Sequence, residues 1–206
     1  RTETTSVEEE AELPPGRQLL KQTIEPLSAA LWEWTDRIRN GGAGRRPGGF
    51  NILSQVSPKE AAYLIARVAV NSAANRLSAT TTAFQIANAL IDHIEMLNLK
   101  QANKAGYKGL VQKQKKGAKR RDAIRDIMSK EGAKTEFTEA DKVQAGMRAI
   151  ELLCDSTGLF AMELSKTGGR EAYVIRPTEA CSTWLEKQHA RCEILEPIHL
   201  PMVVRP

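Results

Sequence analysis

Leu20, Ile24, Leu27, Leu31, Trp34 and Ile38 recur at spacings of four, three, four, three and four residues, which aligns them on one face of a helix. Pro26 stands inside this run, and its ring blocks the bond to the preceding turn, so the pattern predicts a kinked helix or two shorter ones. Asn40-Gly41-Gly42 ends it. After a glycine-rich stretch, Phe50, Ile52 and Leu53 return the chain to a core. Ser57-Pro58-Lys59-Glu60 reads as a helix start, with Ser57 as N-cap, Pro58 in the first turn and Glu60 placed to close a capping box. Ala61, Leu64, Ile65, Val68 and Ala69 line that helix, which is expected to end near Leu77. A further helix is expected from Thr80–Thr82, burying Phe84, Ala87, Leu90, Ile91, Ile94 and Leu97. Its alanines and other small residues let neighbouring helices approach closely.

The pattern weakens between Lys104 and Lys130, where Tyr107, Leu110, Val111, Ile124, Ile127 and Met128 are thinly spread and Gly106, Gly109 and Gly117 interrupt any helix. Each internal glycine costs a helix about 1 kcal/mol relative to alanine, so this stretch is expected to be mobile. Thr138 followed by Asp141 caps another helix, carrying Val143, Met147, Ile150, Leu153 and Cys154 and stopped by Gly158. Beyond it the period changes. Leu159 to Leu164 and Ala172 to Ile175 are short β-prone runs on either side of Ser165-Lys166-Thr167-Gly168-Gly169-Arg170-Glu171, a hairpin signal. Phe160, Met162 and Leu164 alternate and are expected to anchor the hairpin, leaving Lys166 to Arg170 as a projecting tip. A helix is expected from Thr178 through Cys181, Trp184, Leu185 and Gln188, then an extended proline-bounded strand at Leu195 to Pro201. The fold class is therefore mainly α, with one β-hairpin and a short terminal strand. The organisation is an acidic disordered tail (1–14) and one helical domain (15–206), with a mobile basic segment (100–134) and the hairpin (159–176).

Composition is ordinary for a globular chain, with 41% hydrophobic and 27% charged residues. No apolar run reaches the roughly 18 residues that span a bilayer, and no signal-peptide pattern opens the chain. Cys154, Cys181 and Cys192 are odd in number and lack framework spacing, which points to a reducing setting. The opening Arg1 and the unmarked ending at Pro206 suggest a piece of something longer. Net charge is +5, but twelve Lys or Arg stand against three acids between Lys100 and Lys134, leaving the rest of the chain at −4. A positive stripe of this density is the footprint of a polyanion partner, although a solvated linker gives the same composition.

Templates for catalysis fail. Gly42-Ala43-Gly44 has neither a preceding strand nor the Gly-Lys-Ser/Thr of a phosphate loop. His93, His189 and His199 have no partners for a nucleophilic triad. Cys181, His189, Cys192 and His199 lack the close pairs of a zinc site. The chain therefore offers no catalytic residue, no metal ligand and no cofactor site. It offers instead a binding inventory: the basic segment, the Gly44-Arg45-Arg46-Pro47 loop and the hairpin. Arginines flanked by glycines suit close approach to a narrow A·T-rich minor groove.

Trp34, then Gly44-Arg45-Arg46-Pro47-Gly48-Gly49-Phe50-Asn51-Ile52-Leu53, then Glu60-Ala61-Ala62-Tyr63 resemble the N-terminal domain of the single-subunit DNA-directed RNA polymerases of T-odd bacteriophages. The likeness continues through Arg148-Ala149-Ile150-Glu151-Leu152-Leu153-Cys154-Asp155-Ser156-Thr157-Gly158 and Pro201-Met202-Val203-Val204-Arg205-Pro206. The resemblance implies a promoter-handling role inside a nucleotidyltransferase working in the cytoplasm of an infected bacterial host. Its partners would be double-stranded promoter DNA, nascent RNA and the C-terminal polymerase domain of the same chain, with no membrane. Arg45 and Arg46 would belong to the family's loop for A·T-rich upstream DNA. The sequence departs from the family at Gly41-Gly42-Ala43, where the family loop is more positive, and this brings Arg37 and Arg39 into the candidate set. Lys166, Thr167, Gly168, Gly169 and Arg170 would form the tip of the intercalating hairpin, here without a branched apolar residue. Lys113, Lys115, Lys116, Lys119, Arg120 and Arg121 would meet nucleic-acid backbone from a relocating subdomain. Magnesium would be held by a catalytic domain outside these residues. The alternative is a non-enzymatic helical module that binds nucleic acid or protein.

Overall fold

The computed structural model describes residues 15–41, 44, 46–104, 137–167 and 170–179. The acidic tail, Arg45, the six basic-segment residues from Lys113 to Arg121, the hairpin-turn glycines, the expected helix after Thr178 and the expected terminal strand lie outside them. The elements are α1 (Pro15–Asn40), α2 (Phe50–Leu53), α3 (Pro58–Ala74), α4 (Ala79–Lys104), α5 (Glu139–Thr157), β1 (Phe160–Thr167) and β2 (Arg170–Pro177). A mainly helical body with one antiparallel hairpin results, as the residue pattern predicts.

α1 is a single helix, which corrects one alternative read from Pro26. Leu19, Leu27 and Leu31 are buried on both sides of the proline, so packing holds the two halves together across the missing hydrogen bond. The buried stripe also includes Thr23 and Thr35. Their hydroxyls donate to the carbonyls of Leu19 (2.7 Å) and Leu31 (2.8 Å), and so enter the core without an unmet polar group.

α3 begins at the expected cap. Ser57 Oγ accepts from the Glu60 amide and donates to Glu60 Oε2 at 2.6 Å. It ends at Ala74, earlier than expected. There the Arg76 amide bonds the Ala73 carbonyl and the Leu77 amide bonds the Ser72 carbonyl, with Arg76 at φ 53°. This is a Schellman closure with arginine where glycine is usual. The left-handed conformation costs an L-residue about 1–2 kcal/mol, which explains why side-chain reading overran this end.

α5 has the capping box expected of Thr138 and Asp141, and stops at Gly158 in a left-handed conformation, φ 62°. It packs on α4 with almost no gap: a Cβ added at Gly146 would lie 2.1 Å from the Ala83 carbonyl oxygen. Ile52, Leu64, Ile65, Ile86, Leu90, Ile150 and Leu153 form one core shared by α2 to α5, joined by α1 leucines and by Phe160 and Ile175 of the hairpin.

Candidate nucleic-acid interface

The loop between α1 and α2 is held against α5. Gly49 adopts φ 84°, and a Cβ there would lie 2.7 Å from the Ala145 Cα; one at Gly48 would run into the Gln144 side chain. Only glycine satisfies both the dihedral and the closeness at position 49. Phe50 follows immediately and is buried. Its ring meets Trp34 of α1 at 5.9 Å between centroids, tilted by 56°.

On this aromatic pair sit two cations. The Arg46 guanidinium lies 5.2 Å from the Phe50 centroid, and that of Arg148, from α5, lies 5.9 Å from the Trp34 centroid. Such contacts contribute about 0.5–1 kcal/mol at exposed sites and fix where the charge stands. Arg46 is exposed and has no carboxylate partner among the described residues. Arg148 bonds Glu151 at 2.7 Å, while its buried Nε has no hydrogen-bond partner among the described residues.

The other loop candidates divide. Arg39, one turn beyond Trp34 on α1, donates to the Ser54 carbonyl at 3.1 Å, tying α1 to the end of α2, and has no acidic partner among the described residues. Arg37 is exposed but paired with Glu33 at 2.7 Å, one turn back on its own helix. The structure thus brings Arg39 and Arg46 to the two ends of one loop. Arg148 was missed by sequence reading, because an arginine three residues before a glutamate on a helix looks like a solvated i,i+3 pair. No local sequence signal marks it, because its place one turn after the Gln144-Ala145 contact with the loop exists only in the fold.

The hairpin differs from expectation in two ways. Its ladder runs to Thr167↔Arg170, so the connection is the two residues Gly168-Gly169, and Lys166, Thr167 and Arg170 belong to the strands. Lys166 pairs across the ladder with Glu171 at 3.3 Å. Second, the apolar residues of β1 do not all anchor it. Phe160 is 2% exposed, but Met162 is 40% and Leu164 55% exposed, with Tyr173 directly opposite Leu164 at 55%. Anchoring rests on Phe160, Val174 and Ile175, on a bridge between Val174 and Ser78, and on the Thr178 amide bonding the Leu159 carbonyl. The outer half of the hairpin stands clear of the described body and carries an exposed apolar strip.

Among the described residues no group of three or more His, Cys, Asp or Glu side chains is placed to hold a metal ion, and no helix is long and apolar enough to cross a membrane. Cys181, His189, Cys192 and His199 lie outside the described residues. Cys154 is half-buried, and desolvation followed by the neighbouring Asp155 charge pushes its thiol up to about 11, so it stays protonated and unreactive at neutral pH.

No family model matches the chain. T7 RNA polymerase of Escherichia phage T7 is 21% identical to it over 214 residues, a match covering 96% of this chain and 24% of that polymerase. The chain therefore spans about a quarter of the length of the curated relative it matches. This distant similarity is to the N-terminal part of a phage RNA polymerase.

Proposed function

We propose that this chain is the promoter-handling N-terminal region of a single-subunit DNA-directed RNA polymerase, and that the loop carrying Arg46 meets upstream duplex DNA. The observation that carries the reading is Arg46 itself. An exposed guanidinium without a carboxylate partner among the described residues is held over Phe50, at the base of a glycine-rich loop clamped onto α5. A cation fixed in position before binding loses little side-chain entropy on contact, and arginine beside a narrow minor groove profits from its enhanced negative potential. Arg39 adds a second charge at the α1 end of the loop; Arg45 lies between them in sequence.

The hairpin is assigned to the upstream edge of the melted region. Its turn has no large side chain, so separation of strands would rest on backbone bulk at Gly168-Gly169, with phosphate contacts from Lys166 and Arg170. The basic segment supplies electrostatic contacts to DNA or nascent RNA through Lys113, Lys115, Lys116, Lys119, Arg120 and Arg121. Nucleotide chemistry and its magnesium belong to a catalytic domain outside these residues.

The test is Arg46→Ala, measured by affinity for short duplexes. It should weaken binding to A·T-rich upstream DNA by about 1–2 kcal/mol, the size of one specific groove contact, and spare G·C-rich duplex. Equal losses on both would reduce the loop to a general phosphate contact. A second reading, a protein-interaction module, is favoured by the exposed strip of Met162, Leu164 and Tyr173. It predicts no dependence of duplex binding on Arg46.

A further inference from the structure

We infer that Arg148 is a second contact to duplex phosphate, flanking the Arg46 loop, and that Glu151 occupies it until DNA arrives. The inference rests on the reading that this loop meets duplex DNA, and it adds a residue from a different helix to that site.

The geometry begins with the clamp. The loop's Gly48 and Gly49 press on Gln144 and Ala145, and Arg148 stands one helical turn beyond Gln144 on the same side of α5. From there its guanidinium reaches Trp34, whose ring contacts Phe50, whose ring carries Arg46. Two guanidiniums therefore stand on one aromatic pair, contributed by the loop and by α5. Steps of 5.2, 5.9 and 5.9 Å limit how far apart the charges can be, so one duplex can meet both.

The one carboxylate contact of Arg148 among the described residues runs through Nη1 to a Glu151 that is 44% exposed, so that end of the guanidinium is where a phosphate can replace it; the buried Nε takes no part. The side chain remains 38% exposed. Arg guanidinium presents a planar fork suited to phosphate, and stacking on an aromatic ring holds the plane without neutralising the charge. An exposed ion pair such as Arg148–Glu151 contributes little stability of its own, so exchanging the carboxylate for a phosphate costs little. Phosphate contacts carry no sequence information. Arg148 should therefore set affinity and salt dependence, where Arg46 sets A·T preference.

The experiment uses the full chain and short A·T-rich and G·C-rich duplexes, with affinity followed over a salt series. Arg148→Gln should lower the slope of log affinity against log salt by about 0.9, the value of one phosphate contact, equally on both duplexes. Glu151→Gln should tighten binding about two- to fivefold, the range an exposed pair supports. That gain should exceed the gain from Glu139→Gln, which removes a carboxylate of the same helix paired with Lys142. A folded Arg148→Gln protein with the wild-type slope overturns the inference and leaves Arg148 as a strap between α1 and α5, whatever Arg46→Ala does. If Arg148→Gln does not fold, Glu151→Gln decides, and a gain no larger than that of Glu139→Gln overturns it. A chain that binds neither duplex overturns this inference together with the functional reading beneath it.

Discussion

Gly146 shows how much one absent methyl group can decide. Alanine in the interior of an exposed helix is normally better than glycine by about 1 kcal/mol. Here the added Cβ would meet the Ala83 carbonyl oxygen at 2.1 Å, and that atom is helix backbone, which cannot swing aside. Overpacking of this kind costs about 1–3 kcal/mol, so Gly146→Ala should destabilise the chain where propensity alone predicts a gain. Urea unfolding reads the sign directly. Glu60 supplies a second prediction. Its hydrogen bond with the Ser57 hydroxyl, then the His93 imidazole 3.5 Å away, outweigh partial burial and hold its carboxyl below the ordinary 4.5. A carboxyl with a lowered folded pKa stabilises above its unfolded value and loses that contribution as pH falls through the folded one. The stability difference between wild type and Glu60→Gln should therefore be full above pH 4.5 and shrink on acidification below it. Denaturation at neutral and acid pH checks this, and a pH-independent difference would assign Glu60 a packing role only. Caps of this sort were legible in the sequence because they are local: Ser57, Thr138 with Asp141, and Gly158 each act within a few residues. Thr23 and Thr35 were not, since a hydrophobicity pattern omits a polar residue that satisfies itself on its own helix.

At the scale of elements, the hairpin marks where pattern reading stops. Alternation along β1 identifies a face correctly: Phe160, Met162 and Leu164 lie opposite Pro177, Ile175 and Tyr173. It carries no information on whether anything covers that face, and only the inner end is covered. Stability should therefore fall off steeply along one strand. Phe160→Ala removes a fully packed ring and should cost about 3–5 kcal/mol, while Leu164→Ser, four residues out, should cost about 1 kcal/mol or less. Thermal unfolding of the two variants tests the gradient. Comparable losses would mean that the outer half is buried against something in solution. The same blindness to tertiary context made α1 ambiguous at Pro26 and hid Arg148, whose partner on α1 lies more than a hundred positions away in the chain. The loop, by contrast, was legible as a place, because its glycines and arginines cluster in sequence, though not as a geometry.

The whole molecule divides its charge unevenly: +9 lies between Lys100 and Lys134, and −4 is spread over everything else. On the reading proposed above, long-range attraction to a polyanion would come chiefly from that segment, with Arg39, Arg46 and Arg148 acting at close range. Replacing Lys115, Lys116, Lys119, Arg120 and Arg121 with glutamine should flatten the salt dependence of duplex binding, by up to about 4.5 units of slope if all five meet phosphates. It should leave the preference for A·T-rich DNA in place. An unchanged slope would make the run a solvated surface. The tight seam between Ala83 and Gly146 has a bearing on how such a segment can exist at all. The parts of the chain before and after residues 105–136 are gripped by one another through a common core, so the stretch joining them is not what keeps them together. Closing a longer connection costs only about 0.6 kcal/mol for each doubling of its length. Evolution can therefore lengthen, trim or exchange the sequence between α4 and α5 while the core on either side of it is inherited unchanged.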